Sequence, residues 1–157
     1  MKHRLNSRLS GILMFFAFLL TFSTCLNAQC LSFAKKIGKP KLENFVHDGN
    51  YNATILGAGE TAELYKTFFA NQKYRIALSK IESLPNIHFR LIDEDNNILF
   101  DNKNHGFVDV WDFQVESTQM LVIKLKVLDD YNDSNGDNKG CISVLFGIEK
   151  EKKKKRN

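Results

Sequence analysis

The sequence has no Gly-x-Ser-x-Gly elbow, no Cys-x-x-Cys pair and no His-x-x-x-His spacing. These absences remove the local signatures of a nucleophile elbow and of a zinc site. Only 2 prolines are present, with no Ser/Pro-rich linker and no internal repeat, so nothing divides the chain into several domains. No apolar run reaches the ~20 residues a membrane-crossing helix needs. The longest, Ile12 to Phe22, stops at Ser23-Thr24.

That run has a context. Lys2, Arg4 and Arg8 precede it without an acidic residue among them, and small and polar residues follow it. A basic segment, a short apolar segment and a small-residue exit make a secretory signal peptide. We place the signal at residues 1–28, with cleavage after Ala28; a cut after Ser23 is the alternative. Cys25 meets the frame of a lipid-bearing cysteine only marginally and Cys30 fails it, so a lipid anchor is not expected. The expected product has no transmembrane span and is periplasmic or secreted. One domain is expected over 29–148, and residues 149–157 form a basic tail. The formal charge of +4 is an end effect, because the signal and the tail hold the excess of lysine and arginine. No aromatic residue interleaves the tail, so it does not support nucleic-acid binding.

Between these ends the pattern is that of strands. Apolar residues at 30, 33, 34 and 37 suit a short N-terminal helix, stopped by Gly38 and Pro40. From Tyr51 onward short apolar runs alternate with turn residues. Strands are expected at 51–56, 62–69, 74–81, 87–93, 98–100, 108–115, 120–128 and 141–148. In Ile87 to Asp93, Ile87, Phe89 and Leu91 share one face while His88 and Arg90 share the other. Leu121, Ile123, Leu125 and Val127 alternate with Lys124 and Lys126 in the same way. Period two with one polar face marks antiparallel strands half covered by a second sheet. The fold expected is an all-β, about eight-stranded antiparallel β-sandwich of jelly-roll type with a short N-terminal helix. Asn71 to Lys73 and Asp93 to Asn97 have the length of hairpin turns.

The stretch Thr54 to Leu64, TILGAGETAEL, has the form of a dinucleotide-binding glycine turn, with Glu82 where a ribose-binding acid would lie. Such a site needs repeated strand–helix–strand units, and no second helix of useful length follows Tyr74. Thr61, Tyr65, Thr67, Phe68 and Phe69 also favour strand. Gly57 and Gly59 are therefore read as supplying positive φ to a hairpin turn, and no cofactor is expected.

The segments Ile55 to Leu78, Ile87 to Asn102 and Trp111 to Val127 together resemble bacterial pre-peptidase C-terminal-type domains. The shared rhythm is a Gly-Glu turn, an aromatic strand, a Tyr-x-Ile-x-Leu strand and a strand ending in Asp before a polar turn. The resemblance implies an exported β-sandwich with an accessory or binding role. No functional residue is carried over, and the cysteine pair is not a feature the resemblance implies.

Other candidate chemistry is thin. Asp129, Asp130, Asp133, Asn135 and Asp137 lie in an oxygen-rich loop that does not fit the calcium frame, since Asn135 and Cys141 occupy the positions of its Gly and Glu. No metal site is expected there. His47, His88 and His105 are read as satisfied or solvated. Asp109 and Asp112 are indistinguishable from surface charge, and Trp111 and Phe113 are read as core. No catalytic residue is assigned. A non-catalytic binding or accessory module is expected, with a carbohydrate or a protein as ligand; the alternative is a small secreted hydrolase using carboxylates on the sandwich rim.

Three cysteines are present, and the cut after Ala28 removes Cys25. Cys30 and Cys141 then form an even pair in an oxidising compartment, and a disulfide between them is expected. Intact-mass analysis of the exported protein checks both points. The expected product begins at Gln29 and shows no alkylatable thiol before reduction.

Overall fold

The alternating stretches become strands that bury the face their sequence marks. In the computed structural model, which describes residues 25–129 and 139–150, Ile87, Phe89 and Leu91 of β5 (Ile87–Ile92) are buried while His88 and Arg90 are half-exposed. Leu121, Ile123, Leu125 and Val127 of β8 (Gln119–Val127) are buried likewise. The other expected strands are β2 (Asn52–Gly57), β3 (Thr61–Phe68), β4 (Lys73–Lys80), β6 (Ile98–Asp101), β7 (Val110–Gln114) and β9 (Lys139–Glu149). A ninth, β1 (Phe45–His47), was not expected. Glu149, assigned to the tail, closes β9 opposite Phe45. Most of the expected signal segment, most of the acidic loop and residues 151–157 lie outside the described residues.

Pairing follows a simple scheme. β2 pairs with β9, β3 with β8, β4 with β7 and β5 with β6, all antiparallel. The chain is thus one long two-stranded ribbon, doubled back at the β5–β6 turn. Rolling the ribbon adds the β4–β9 and β5–β8 pairs. This gives sheet A, ordered β1-β9-β4-β7 with β2 also on β9, and sheet B, ordered β3-β8-β5-β6. That is an all-β jelly-roll sandwich.

The rolled ribbon corrects two turn readings. Successive strands β2 and β3 belong to different sheets, as do β3 and β4. The glycine turn and the Asn71 to Lys73 turn therefore cross between sheets and are not hairpins. Gly57 is the last residue of β2, paired with Lys139, and only Gly59 has positive φ, at +76°. The Glu60 carboxylate accepts the Gly57 amide at 2.8 Å and Lys139 Nζ at 3.0 Å, which ties the turn together. Asp93 to Asn97 is a true hairpin turn, joining β5 to β6. There the Asp93 carboxylate accepts from the amides of Asp95 and Asn97 and from the Asn97 side chain.

The main core lies between the sheets, around Phe68, Tyr74, Ile76, Phe89, Ile123 and Phe146. A second, smaller core lies on the outer side of sheet A, formed by Ala34, Leu42, Ala77 and Leu145. It is covered by a helical segment longer than the expected helix over 30–37: α1 (Cys25–Phe33), a π-helical turn (Ala34–Gly38) and a 3₁₀ turn (Lys39–Leu42). The wide π turn changes which residues meet the sheet. Cys30, Ala34 and Gly38 are buried, whereas Ile37, expected on the apolar face, is 50% exposed. Gly38 permits the close approach, because a Cβ there would stand 2.9 Å from Ser143 Oγ.

A disulfide joins Cys30 of α1 to Cys141 of β9, with Cα atoms 5.2 Å apart. It fastens a layer whose own core is small. At the edge where β2 and β9 face β3, Lys66 of β3 pairs with the nearly buried Asp48 at 2.7 Å and lies over the Phe146 ring. The cross-link closes a loop of 111 residues, which is worth about 5 kcal/mol in the chain-entropy account. Cys141→Ser is expected to lower the unfolding free energy by about 2–5 kcal/mol in a chemical denaturation titration.

Candidate functional site

The two sheets present unlike outer faces. Sheet A is roofed by the helical segment. Over sheet B the described residues provide no such roof, and Tyr65 and Met120 are 60% and 40% exposed. Strand alternation sends Thr61, Glu63, Tyr65 and Thr67 of β3 outward, with Met120, Val122, Lys124 and Lys126 of β8 and His88 and Arg90 of β5. The register then arranges them in rows. Tyr65 lies beside Val122, which lies beside Ile92. The next row reads Glu63, Lys124, Arg90, Asp101, and the one after it Thr61, Lys126, His88. One end of the face is therefore aromatic and apolar and the other is charged, with bases outnumbering acids.

The charged end holds a shallow depression of about 250 Å³ lined by Thr61, Glu63, His88, Arg90, Lys124 and Lys126, among others. Glu63 Oε1 accepts Lys124 Nζ at 3.0 Å and its Oε2 accepts the Tyr65 hydroxyl at 2.8 Å. The Lys124 bond, then the Tyr65 bond, hold the Glu63 carboxyl below the ordinary range, and Glu63 in turn raises the Tyr65 phenol. Asp101 Oδ1 accepts His88 Nε2 at 2.8 Å and the Lys103 amide at 2.9 Å.

A second concavity, about 410 Å³, opens between the edge strands β6 and β7. Trp111 and Phe113 line it. Both are partly buried against the core, and Trp111 stacks on Phe100 with centroids 4.0 Å apart. The reading of these rings as core is thus incomplete, since each also reaches the wall of an opening. Glu116 is the one carboxylate among its lining residues, Leu91, Leu99, Gln114, Val115, Ser117 and Gln119 making up the rest. Two-carboxylate hydrolysis needs a partner for it.

The remaining sequence candidates are in structural use. Asp112 grips Arg75 with both oxygens at 2.7 and 2.9 Å, and Asp109 takes Lys41 at 2.9 Å. Glu43 takes Arg75 as well. His47 bonds to the Asn50 carbonyl, and His105 stacks on Phe100. Asp129 is the described member of the acidic loop and meets Lys126 at 3.4 Å. Among the described residues no group of three or more His, Cys, Asp or Glu is placed to hold a metal ion. Nor is any described helix long and apolar enough to cross a membrane.

Sequence reasoning passed over Asn102. It is fully buried, accepts the Phe89 amide and donates to the carbonyls of Ile87 and Val108, so it fixes β5 from behind the charged row. No local pattern marks it, because its partners are three backbone groups.

No family model and no curated protein matches the chain. Among solved structures it is similar to Aeromonas hydrophila PliG, a periplasmic lysozyme inhibitor of g-type lysozyme, at 10% identity and a TM-score of 0.48. That match covers 64% of this chain and 85% of the other. It is also similar to Salmonella Typhimurium PliG, likewise a periplasmic lysozyme inhibitor of g-type lysozyme, at 12% identity and a TM-score of 0.40, covering 64% and 86%.

The pairing on this face has a pH signature. A depressed glutamate contributes stability above its unfolded pKa, and the contribution is lost as pH falls through its folded pKa. In an NMR titration the Glu63 carboxyl carbon is expected to move at a pH below the ordinary value of about 4.3. In Lys124→Met its midpoint should rise toward that value.

Proposed function

We propose that the chain is an exported, non-catalytic binding module that takes a protein partner on the outer face of sheet B. The observation that carries this reading is the asymmetry of the sandwich. One outer face is closed by a disulfide-fastened layer, and the other is open and carries Tyr65, Met120, Val122 and Arg90. Aromatic residues, methionine and arginine are the types enriched at protein interfaces. Export is supported by the N-terminal pattern and by a disulfide, which persists in oxidising compartments. The non-catalytic part is supported by the use of Asp109, Asp112, Glu63 and Asp101 in ion pairs. A sugar ligand would use the concavity lined by Trp111 and Phe113, whereas the residue types on the open face favour a protein.

A photoreactive amino acid placed at position 65 or 120 tests this in cells, with positions 31 and 37 on the roofed side as controls. A discrete protein adduct is expected from the sheet-B positions and none from the controls. The purified partner should then bind Tyr65→Ala about tenfold or more weakly. A g-type lysozyme, which the two similar proteins inhibit, serves as the first purified probe. Equal labelling from both sides, or none from positions 65 and 120, would refute the reading.

A further inference from the structure

The two described arginines are in opposite states. Arg75 donates to both oxygens of Asp112, to Glu43 and to the Lys41 carbonyl. Arg90 is also half-buried, yet its guanidinium forms no hydrogen bond or ion pair with any described residue. Carboxylates stand near it. Asp101 is directly opposite on β6, and Glu63 lies in the same row beyond Lys124. Both are committed elsewhere, Asp101 to His88 and the Lys103 amide, Glu63 to Lys124 and the Tyr65 hydroxyl. Of the two bases in the row, Lys124 is paired with Glu63, while Asp101 is spent on His88 of the neighbouring row and leaves the Arg90 guanidinium without an acid.

An arginine presents five donors in a planar fork that matches a carboxylate with two parallel bonds. Here the fork stands beside Lys124, whose charge Glu63 already offsets, so an arriving carboxylate finds in Arg90 a cation with no internal partner. We propose, resting on the reading of sheet B as the binding face, that Arg90 is the anchor for a single carboxylate of the protein partner.

The surroundings argue for an isolated acid on an apolar surface. Glu63 and Asp101 flank the fork at the two ends of its row and repel a ligand with closely spaced negative charges, such as a sulfated glycan. The adjoining row, through Tyr65 and Val122, offers apolar contact to the residues around one acidic side chain. The partner surface implied is a glutamate or aspartate set among apolar groups.

Three probes separate the outcomes: a capped peptide with one glutamate between apolar residues, its glutamine counterpart, and a sulfated oligosaccharide. Binding is read from the ¹⁵N resonance of Arg90 Nε and from the dissociation constant. The glutamate peptide should shift that resonance and bind about tenfold or more tightly than the glutamine peptide. Arg90→Gln should remove the difference, and Arg90→Lys, which keeps the charge but not the fork, should restore only part of it. An unchanged melting temperature in both variants shows that the fold is intact. Equal binding of the two peptides, no shift at Arg90, or a preference for the oligosaccharide would each overturn the proposal. The partner found by cross-linking distinguishes this failure from that of the underlying reading. Loss of its binding in Tyr65→Ala but not in Arg90→Gln removes the anchor and keeps the face; loss in neither removes the face.

Discussion

Strand β9 has to bond on both edges and bury both faces, and the rest of the molecule is arranged around that demand. One edge carries β2 and then β1; the other carries β4. Ile142, Val144 and Phe146 enter the core between the sheets, while Leu145 belongs to the core beneath the helical layer. Ser143 and Gly147 occupy the same outer side, where small residues let the covering chain approach. A strand buried on both faces cannot alternate polar and apolar residues, and 141–148 does not. The disulfide at Cys141 acts on this strand, and so on both cores at once.

The same demand explains why the sandwich is lopsided. A β9 that is apolar on both sides requires sheet A to be roofed, and the N-terminal helical segment supplies the roof. Sheet B has no such central strand. Its β8 buries every second residue and turns Lys124 and Lys126 outward, so its outer face can stay in water. A difference between two strand sequences thereby decides which outer face of the sandwich the described residues leave open.

Much of this was legible because it is local. Ile87-His-Phe-Arg-Leu and Leu121-Val-Ile-Lys-Leu announce half-buried strands by alternation alone. The cysteine pair followed from the compartment and from counting. What escaped depends on distant pairing. A crossing turn and a hairpin turn use the same residues, so the Gly57 to Glu60 turn could not reveal that β2 and β3 separate into different sheets. β1 is three residues long and exists because β9 extends past β2. Ile37 lost its expected place because the π turn rotates the helix surface, and apolar spacing presumes an ordinary helix. The sequence does assign Arg90 to the polar face of its strand. It cannot disclose that the neighbouring acids are occupied by other donors, and that vacancy is what sets this arginine apart.

The order of the strands also imposes an order in time. β9 is made last of the described strands, yet sheet A has no centre without it: β1 and β2 have no partner, and β4 lacks one edge. Cys30, one of the earliest described residues to emerge, must wait for Cys141 before it can be oxidised to its native partner. During synthesis sheet B and the β4–β7 pair can form before β9, whereas the centre of sheet A cannot, and topologies dominated by such long-range pairings fold slowly. Until β9 arrives, the backbone edges of β2 and β4 that it pairs remain open and need shielding from other chains.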